Sequence, residues 1–417
     1  MNQTNTKPQT LKGFRDFLPS QMKIRDYVKN TLISLFTLNG FSPIETPALE
    51  YAATLKGKYG DETDTKLGYF FKDNGGRDIG LRYDLTVPAA KVLAIYGNQI
   101  QLPFRRYQIQ PVWRAENTQR GRYREFIQCD IDIFGTTSPI ADAEIISLIY
   151  QGVTKLGFSN AVIRINSRKV LSSILDQASI IDNQNSIFQS LDKIDKIGDD
   201  RVKNEFKSKG LSNTQINQIF NSIKQAQPSK NLQQILDLLP SLGLPASAYI
   251  FDPTLVRGCD YYTDTIFEVK VDQPQIGALG GGGRYNNLIN TLGGPQIPAV
   301  GFSFGFERLI DVITDLNLFP QANQTGPKIL VANLGPDTQT NILQLITKLR
   351  NENISSIIYP DADKLGKQIR YALAENIPYM AIIGTDEAAA NQITLKNLTS
   401  TSQKTINLDQ LIKILKD

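Results

Sequence analysis

Ile24, Tyr27, Val28, Leu32, Leu35 and Phe36 recur at intervals of three and four, which predicts a helix from about Ser20 to Asn39. Ser20 is placed to cap its start and Gly40 to close its end. The period then shortens to two. Leu81 to Val87 and Phe126 to Phe134 alternate, and both are predicted strands. In the second strand Ile127, Cys129, Ile131 and Ile133 make the apolar face, opposite Phe126, Gln128, Asp130, Asp132 and Phe134. In the first, Arg82, Asp84 and Thr86 oppose Leu81, Tyr83, Leu85 and Val87. Pro111 to Glu116, read as extended chain, shows Val112, Arg114 and Glu116 on one side.

From about residue 167 to 247 glycine falls to Gly198, Gly210 and Gly243, and the helical period dominates. Ser212 and Gln215 have capping-box spacing, Leu211 and Ile216 have staple spacing, and Ile216, Ile219, Phe220 and Ile223 form one stripe. This stretch is predicted to be a helical insertion. Strand and glycine signals return from Ala248 to about Asp315, and a linker with Pro320, Gly326 and Pro327 follows. Beyond it, predicted strands at 328–334, 355–359 and 379–384 alternate with predicted helices at 338–351 and 364–376. That order predicts a separate α/β domain with a largely parallel sheet. The expected division is 1–166 and 248–320 for the main domain, 167–247 for the insertion, 321–327 for the linker and 328–417 for the last domain.

Composition narrows the chemistry. A 417-residue chain that is 41% hydrophobic and 21% charged can bury real cores, and a net charge of +4 is no polybasic signature for nucleic acid or membrane. The chain has no histidine, which removes imidazole-ligated metals, Ser-His-Asp and Cys-His triads and any imidazole acid or base. Cys129 and Cys259 are too few for a disulfide framework or a four-thiolate zinc site. No apolar run approaches the ~18 residues of a membrane span, and Met1 to Thr10 lack the apolar stretch of a signal peptide. A soluble cytoplasmic protein is expected.

Between Phe104 and Arg124 there are six arginines against one acid, Glu116. Arginine recognises phosphate and carboxylate at several points at once, so the cluster suggests a phosphate-bearing ligand, although charge runs are often only solvated surface. The polar strand faces add carboxylates, an amide and aromatic rings, as a lined cavity would. Arg257 beside Gly258 in the segment Leu255 to Glu268 points the same way, because glycine permits close approach to a ligand. Gly280 to Gly283 match neither a dinucleotide nor a phosphate-loop pattern, and taken alone read as a flexible turn. Gly301 to Ile310 reads as a glycine-bearing strand turning into a helix that carries Arg308.

Together these segments resemble the class II aminoacyl-tRNA synthetases, and among them the histidyl-tRNA synthetase family. Lys12 to Pro19 resembles the family's opening, Gly40 to Pro47 motif 1, Trp113 to Phe126 motif 2 and Gly301 to Arg308 motif 3. Leu255 to Tyr262 and Gly281 to Tyr285 resemble the two histidyl-specific motifs. The resemblance implies an α+β fold: an antiparallel sheet flanked by helices, a helical insertion and a C-terminal α/β anticodon-binding domain. It implies ATP and L-histidine as substrates, Mg²⁺ accompanying ATP, histidine tRNA as the acceptor and a homodimer, with no role for DNA or membrane.

The resemblance also assigns residues. Arg114 and Arg257 are implied as the catalytic cations. Asp84, Leu85, Thr86, Gln128, Asp132, Tyr261 and Tyr262 join them in holding histidine. Arg122 and Arg308 hold phosphates with Arg114, Glu116 accepts from the adenine amino group, and Phe126 stacks on the ring. No metal ligand is implied in the protein. A non-catalytic histidine-binding relative, or a class II enzyme for another amino acid, remain alternatives at this level.

Overall fold

The computed structural model describes residues 7–56, 67–257, 261–274, 276–320 and 326–416. They form two compact units, divided between Leu318 and Phe319.

The first long helix spans Pro19–Leu38, one residue earlier than its periodicity predicts at the start. Proline suits a first turn because that N–H has no helical partner anyway. The cap is therefore Leu18 rather than Ser20, and the Leu18 N–H donates to Gln21 Oε1 at 3.1 Å. Gly40 follows at φ +75°, the left-handed closure that glycine tolerates. Val28, Leu32, Leu35 and Phe36 are buried, and the Phe36 ring meets Tyr107 and Phe304.

In chain order the strands of the first unit are β1 Ser42–Pro43, β2 Leu49–Tyr51, β3 Tyr69–Lys72, β4 Asp78–Leu81, β5 Phe104–Trp113 and β6 Glu125–Phe134. They continue as β7 Val162–Ser167, β8 Tyr249–Phe251, β9 Thr265–Lys270, β10 Gly280–Arg284 and β11 Ala299–Gly305. The large sheet runs β1-β5-β6-β11-β10-β9-β7-β8, with β2-β4-β3 as a small separate sheet. Only the outer pairs β1/β5 and β7/β8 are parallel; the strands between them are antiparallel. Helices Pro19–Leu38, Pro139–Lys155 and Phe306–Asp315 pack together and against β6 and β11.

Two expectations are corrected here. Leu81 to Val87 is not one strand: β4 ends at Leu81, and Thr86–Tyr96 is helical. The Asp84 carboxylate accepts from the Val87 N–H at 3.1 Å and so initiates that helix, which local alternation cannot reveal. Arg82 leaves the pattern to donate to the carbonyls of Thr46 and Pro111 and to Gln110 Oε1. The glycine run is no flexible turn either. Gly280 to Arg284 form the fully buried β10, between β9 and β11.

The segment after β7 is helical. Its longer elements are Arg168–Gln177, Gln184–Leu191, Asp199–Ser208, Asn213–Gln225 and Lys230–Leu238, with the short turn Ile194–Ile197 among them. The Ser212–Gln215 capping box forms, and Ile216, Ile219, Phe220 and Ile223 are buried in a core that also takes in Leu255, Val256 and Ile266. Each such side chain contributes about 1.5–3 kcal/mol by leaving water. That shared core fastens the helices to one face of β9, through Ile266.

The second unit adds β12 Ile329–Val331, β13 Ser356–Ile358, β14 Tyr379–Ile382, β15 Ile393–Asn397 and β16 Gln403–Ile406 in the order β13-β12-β14-β15-β16. The three predicted strands pair in parallel, with helices Gln339–Asn351 and Leu365–Ala374 between them in sequence. The sheet is not largely parallel, because β15 and β16 add two antiparallel pairings that the strand–helix alternation does not announce. No helix among the described residues is long and apolar enough to cross a membrane.

Candidate active site

Strand register builds the site. One row across the large sheet reads Arg164, Glu268, Gly281, Ser303, Asp130 and Gln108, from β7 to β5. The next reads Asn166, Ile266, Gly283, Gly301, Asp132 and Arg106. Directly opposed residues share a face, so the glycines of β10 and β11 open a trough between charged flanks. A Cβ on Gly281 would lie 2.2 Å from Arg257 Cζ, and one on Gly301 1.7 Å from Asp132 Oδ1. The missing side chains are the room in which those two groups sit.

Two cavities lie along this trough. The one of about 260 Å³ is walled by Thr86, Asp130, Asp132, Tyr261, Tyr262 and Tyr285. The one of about 320 Å³ is walled by Glu116, Arg122, Tyr123, Phe126 and Arg308. Arg114, Gln128, Arg257, Gly281 and Ser303 belong to both walls. The pair Arg114 and Arg257, separated by more than 140 positions in sequence, is thus brought to one junction.

The smaller cavity is lined by buried charge. Arg106 is fully buried, with Nη2 at 2.6 Å from Asp132 Oδ2 and 3.8 Å from Asp130 Oδ2. Burial opposes its charge, but the two carboxylates outweigh that and raise its pKa. Burial pushes Asp130 up to about 7; Arg106 and a hydrogen bond from Ser303 work the other way, and Asp132 adds to the rise. Asp132 is raised too, again by burial, and its Oδ1 accepts from the Tyr285 hydroxyl. Gln128 donates to Ser303 Oγ at 3.2 Å, leaving Gln128 Oε1 and Asp130 Oδ1 buried without a hydrogen-bond partner. A buried unpaired acceptor costs roughly 1–3 kcal/mol, which a ligand's N–H would relieve.

The larger cavity has the opposite sign. Burial lowers the pKa of Arg308, and the positive charges of Arg122, Arg257 and Arg114 lower it further, as expected where like charges converge. An anion is what such a group of guanidinium ions would bind. Arg114 Nε donates to the Tyr83 carbonyl at 2.9 Å, and its guanidinium lies 5.2 Å from the Phe126 ring centroid. Glu307 is taken up by Arg15 and Arg25, at 2.6 and 2.7 Å. Arg15 also stacks on Tyr123, 3.3 Å from its ring centroid, which braces the loop of residues 114–124.

Of the residues singled out in the sequence, Thr86, Arg114, Gln128, Asp132, Arg257, Tyr261 and Tyr262 wall the smaller cavity. Arg114, Glu116, Arg122, Phe126 and Arg308 wall the larger. Asp84 and Leu85 are buried outside both walls; the Leu85 carbonyl accepts from Arg106 at 3.4 Å. Gly258 and Cys259 lie outside the described residues. Sequence reasoning passed over Asp130, Tyr285 and Ser303 as site residues. Alternation had put Asp130 on the right face, and Tyr285 ends a quoted motif, but nothing local marks Ser303.

Similarity to known proteins agrees with this geometry. Residues 13–309 match the family profile described as histidyl-tRNA synthetase, and residues 328–417 that of an anticodon binding domain. The histidine–tRNA ligase of Cytophaga hutchinsonii is 39% identical, covering 97% of this chain and 99% of its own. That of Azobacteroides pseudotrichonymphae is 40% identical, over 96% of each chain. The crystal structure of histidyl-tRNA synthetase from Nostoc sp. PCC 7120 superposes with a TM-score of 0.85 at 29% identity, covering 99% of both chains. Class II architecture, paired cavities and full-length similarity converge: the chain belongs to the histidyl-tRNA synthetase family.

Proposed function

We propose that the protein ligates L-histidine to the 3′ end of histidine tRNA, through a histidyl-adenylate formed from ATP, releasing pyrophosphate and then AMP. One observation carries this reading: Arg114 and Arg257 stand on the wall shared by a cavity rich in carboxylates and a cavity rich in guanidinium groups. That junction is where a substrate carboxylate and an α-phosphate would have to meet.

A carboxylate is ionised at neutral pH and needs no general base to attack phosphorus, so the absence of histidine from the chain costs this step nothing. The step requires in-line placement and positive charge around the phosphoryl group. Arg114 and Arg257 would supply both, with Arg122 and Arg308 on the outer phosphates. Phe126 would stack on adenine and Glu116 accept from its amino group. In the smaller cavity Asp132, Tyr261 and Tyr262 would face the imidazole, with Thr86 and Gln128 at the amino end and Asp84 and Leu85 buried behind them, outside the wall. Because a site that hydrogen-bonds its substrate rejects analogues lacking those groups by about 10⁴–10⁵, imidazole contacts would dominate selectivity.

Mg²⁺ enters this reading with ATP. Among the described residues there is no group of three or more acids, cysteines or histidines able to hold a metal. Of the acids on the larger cavity's wall, Glu307 is already paired with Arg15 and Arg25, and Glu116 is assigned to adenine. These residues fit an ion held by phosphate oxygens and water, whose charge would offset that of the triphosphate. For the second step, residues 117–121 are assigned to the acceptor end of the tRNA and residues 328–417 to the anticodon. Shape would have to do much of that work, since 328–417 carry ten basic and nine acidic side chains. Translation places the enzyme in the cytoplasm. Self-association is supported by Tyr51 and Phe71, which flank Ile79 across the small sheet and remain 58% and 47% exposed.

The direct test is ATP–pyrophosphate exchange with each of the twenty amino acids. Histidine alone should support it; exchange with another amino acid and none with histidine would falsify the substrate assignment. Gly281→Ala tests the junction. The added Cβ collides with the mobile end of Arg257 rather than with backbone, so the fold should persist while exchange falls about tenfold or more. Exchange within about twofold of the parent would show that the placement of Arg257 over Gly281 is not needed.

A further inference from the structure

Arg257 sits on the loop after Asp252, where no helix or strand orients it, yet the proposed chemistry needs its direction held. The neighbouring row of the sheet supplies a candidate. Glu268 on β9 is 8% exposed and opposes Gly281, above which the Arg257 guanidinium lies. Glu268 Oε2 accepts from Arg257 Nη1 at 3.1 Å. Its other oxygen, Oε1, faces away from the junction, at 3.4 Å from Arg164 Nη1 and 3.1 Å from Lys270 Nζ. One carboxylate is therefore divided between the active site and a second pair of cations.

Those two cations are held in turn by the helical insertion. Asp195, in the turn Ile194–Ile197, lies 2.5 Å from Arg164 Nη1 and 2.6 Å from Lys270 Nζ. Arg164 also donates to Asp252 and to Thr254 Oγ1, on the segment that leads into Arg257. Arg164, Arg257 and Lys270 face Asp195, Asp252 and Glu268, with Asp192 and Lys196 of the insertion beside them. Arg164 and Glu268 are largely buried while Asp195 and Lys270 are partly exposed, so loss of Asp195 leaves Arg164 to seek the remaining carboxylates. A chamber of about 660 Å³ beside this cluster opens onto Arg257 and Arg308 from the insertion side.

We propose that Glu268 is the positioning residue that aims Arg257, and that Asp195 of the insertion controls it by keeping Arg164 and Lys270 from drawing Glu268 away. This rests on the ligase reading above and extends it, since it gives the insertion a lever on the adenylation centre. With Asp195 neutral, both cations turn to Glu268 Oε1 and its hold on Arg257 weakens. With Glu268 neutral, Arg257 loses this contact and the state of Asp195 no longer reaches it through Glu268.

Single-turnover formation of histidyl-adenylate by the full chain, with ATP, Mg²⁺ and L-histidine, tests this. Glu268→Gln is expected to slow the step about thirtyfold while KM for histidine moves less than about threefold. Glu268→Asp, which keeps the charge, should recover most of the rate. Asp195→Asn should slow the step about fivefold, and the double variant should be no slower than Glu268→Gln alone. A loss within about threefold for Glu268→Gln, or losses that multiply in the double variant, would overturn the assignment. If Glu268→Gln does not fold, Asp195→Asn decides, and a rate within about twofold of the parent overturns it. Absence of adenylate from the parent chain would instead remove the ligase reading itself, and this assignment with it.

Discussion

Arg257→Ala is expected to lower histidyl-adenylate formation by about a hundredfold or more, with thermal unfolding unchanged. A preorganised donor at a developing phosphoryl charge is worth about 2.7–4 kcal/mol of transition-state stabilisation. The fold should tolerate the loss because Glu268 keeps Arg164 and Lys270 as partners, and Asp192, which also faces Arg257, keeps the charge of Lys196. The space over Gly281 opens to the cavities and can fill with water. A fall of less than about threefold in a pre-steady-state assay would remove Arg257 from the reaction. A collapse of the unfolding transition would show that its bond to Glu268 is structural.

Asp130→Asn should raise stability, whereas most point substitutions lower it. In the folded chain burial lifts this carboxyl from the usual 3.8 to about 7. Between about pH 4 and 7 the folded state therefore holds a proton that the unfolded state has lost, and stability falls as pH rises. At 1.36 kcal/mol per unit, the span of about three units amounts to roughly 4 kcal/mol at most. Asparagine resembles the protonated acid. The variant should exceed the parent by about 1.6 kcal/mol near pH 5, where the unfolded carboxyl is already mostly ionised, and by an amount approaching about 4 kcal/mol near pH 8. Urea unfolding at both pH values checks this, and equal differences at the two would exclude an ionised Asp130 as the source. Histidine KM is expected to rise in the same variant, a familiar exchange of stability against a strained site.

The periodic parts of this protein were legible before any coordinates. The helix ending at Leu38, the strand Glu125–Phe134, the capped helix after Ser212 and the βαβαβ core of the second unit all follow from spacing that local physics enforces. Failures came where a distant partner overrode the local pattern. Arg82 alternates correctly for a strand yet is claimed by Thr46, Gln110 and Pro111. The four glycines carry no side-chain pattern at all, so a central strand and a loose turn read alike. β15 and β16 were missed because antiparallel additions to a parallel sheet leave no trace in strand–helix alternation.

Side-chain chemistry divides in the same way. Which residue types could act was decided by the chain itself: arginines for phosphate, carboxylates for a nitrogenous substrate and no imidazole anywhere. So were the ordered motifs that mark the family. Tertiary structure alone decided that residues 114 and 257 meet at the border of two cavities, that Gly281 leaves room for a guanidinium, and that Glu268 faces both that group and the insertion. Periodicity reports which way a side chain points within its own element. What it meets there depends on the register of neighbouring strands, a property of pairs of segments far apart in sequence.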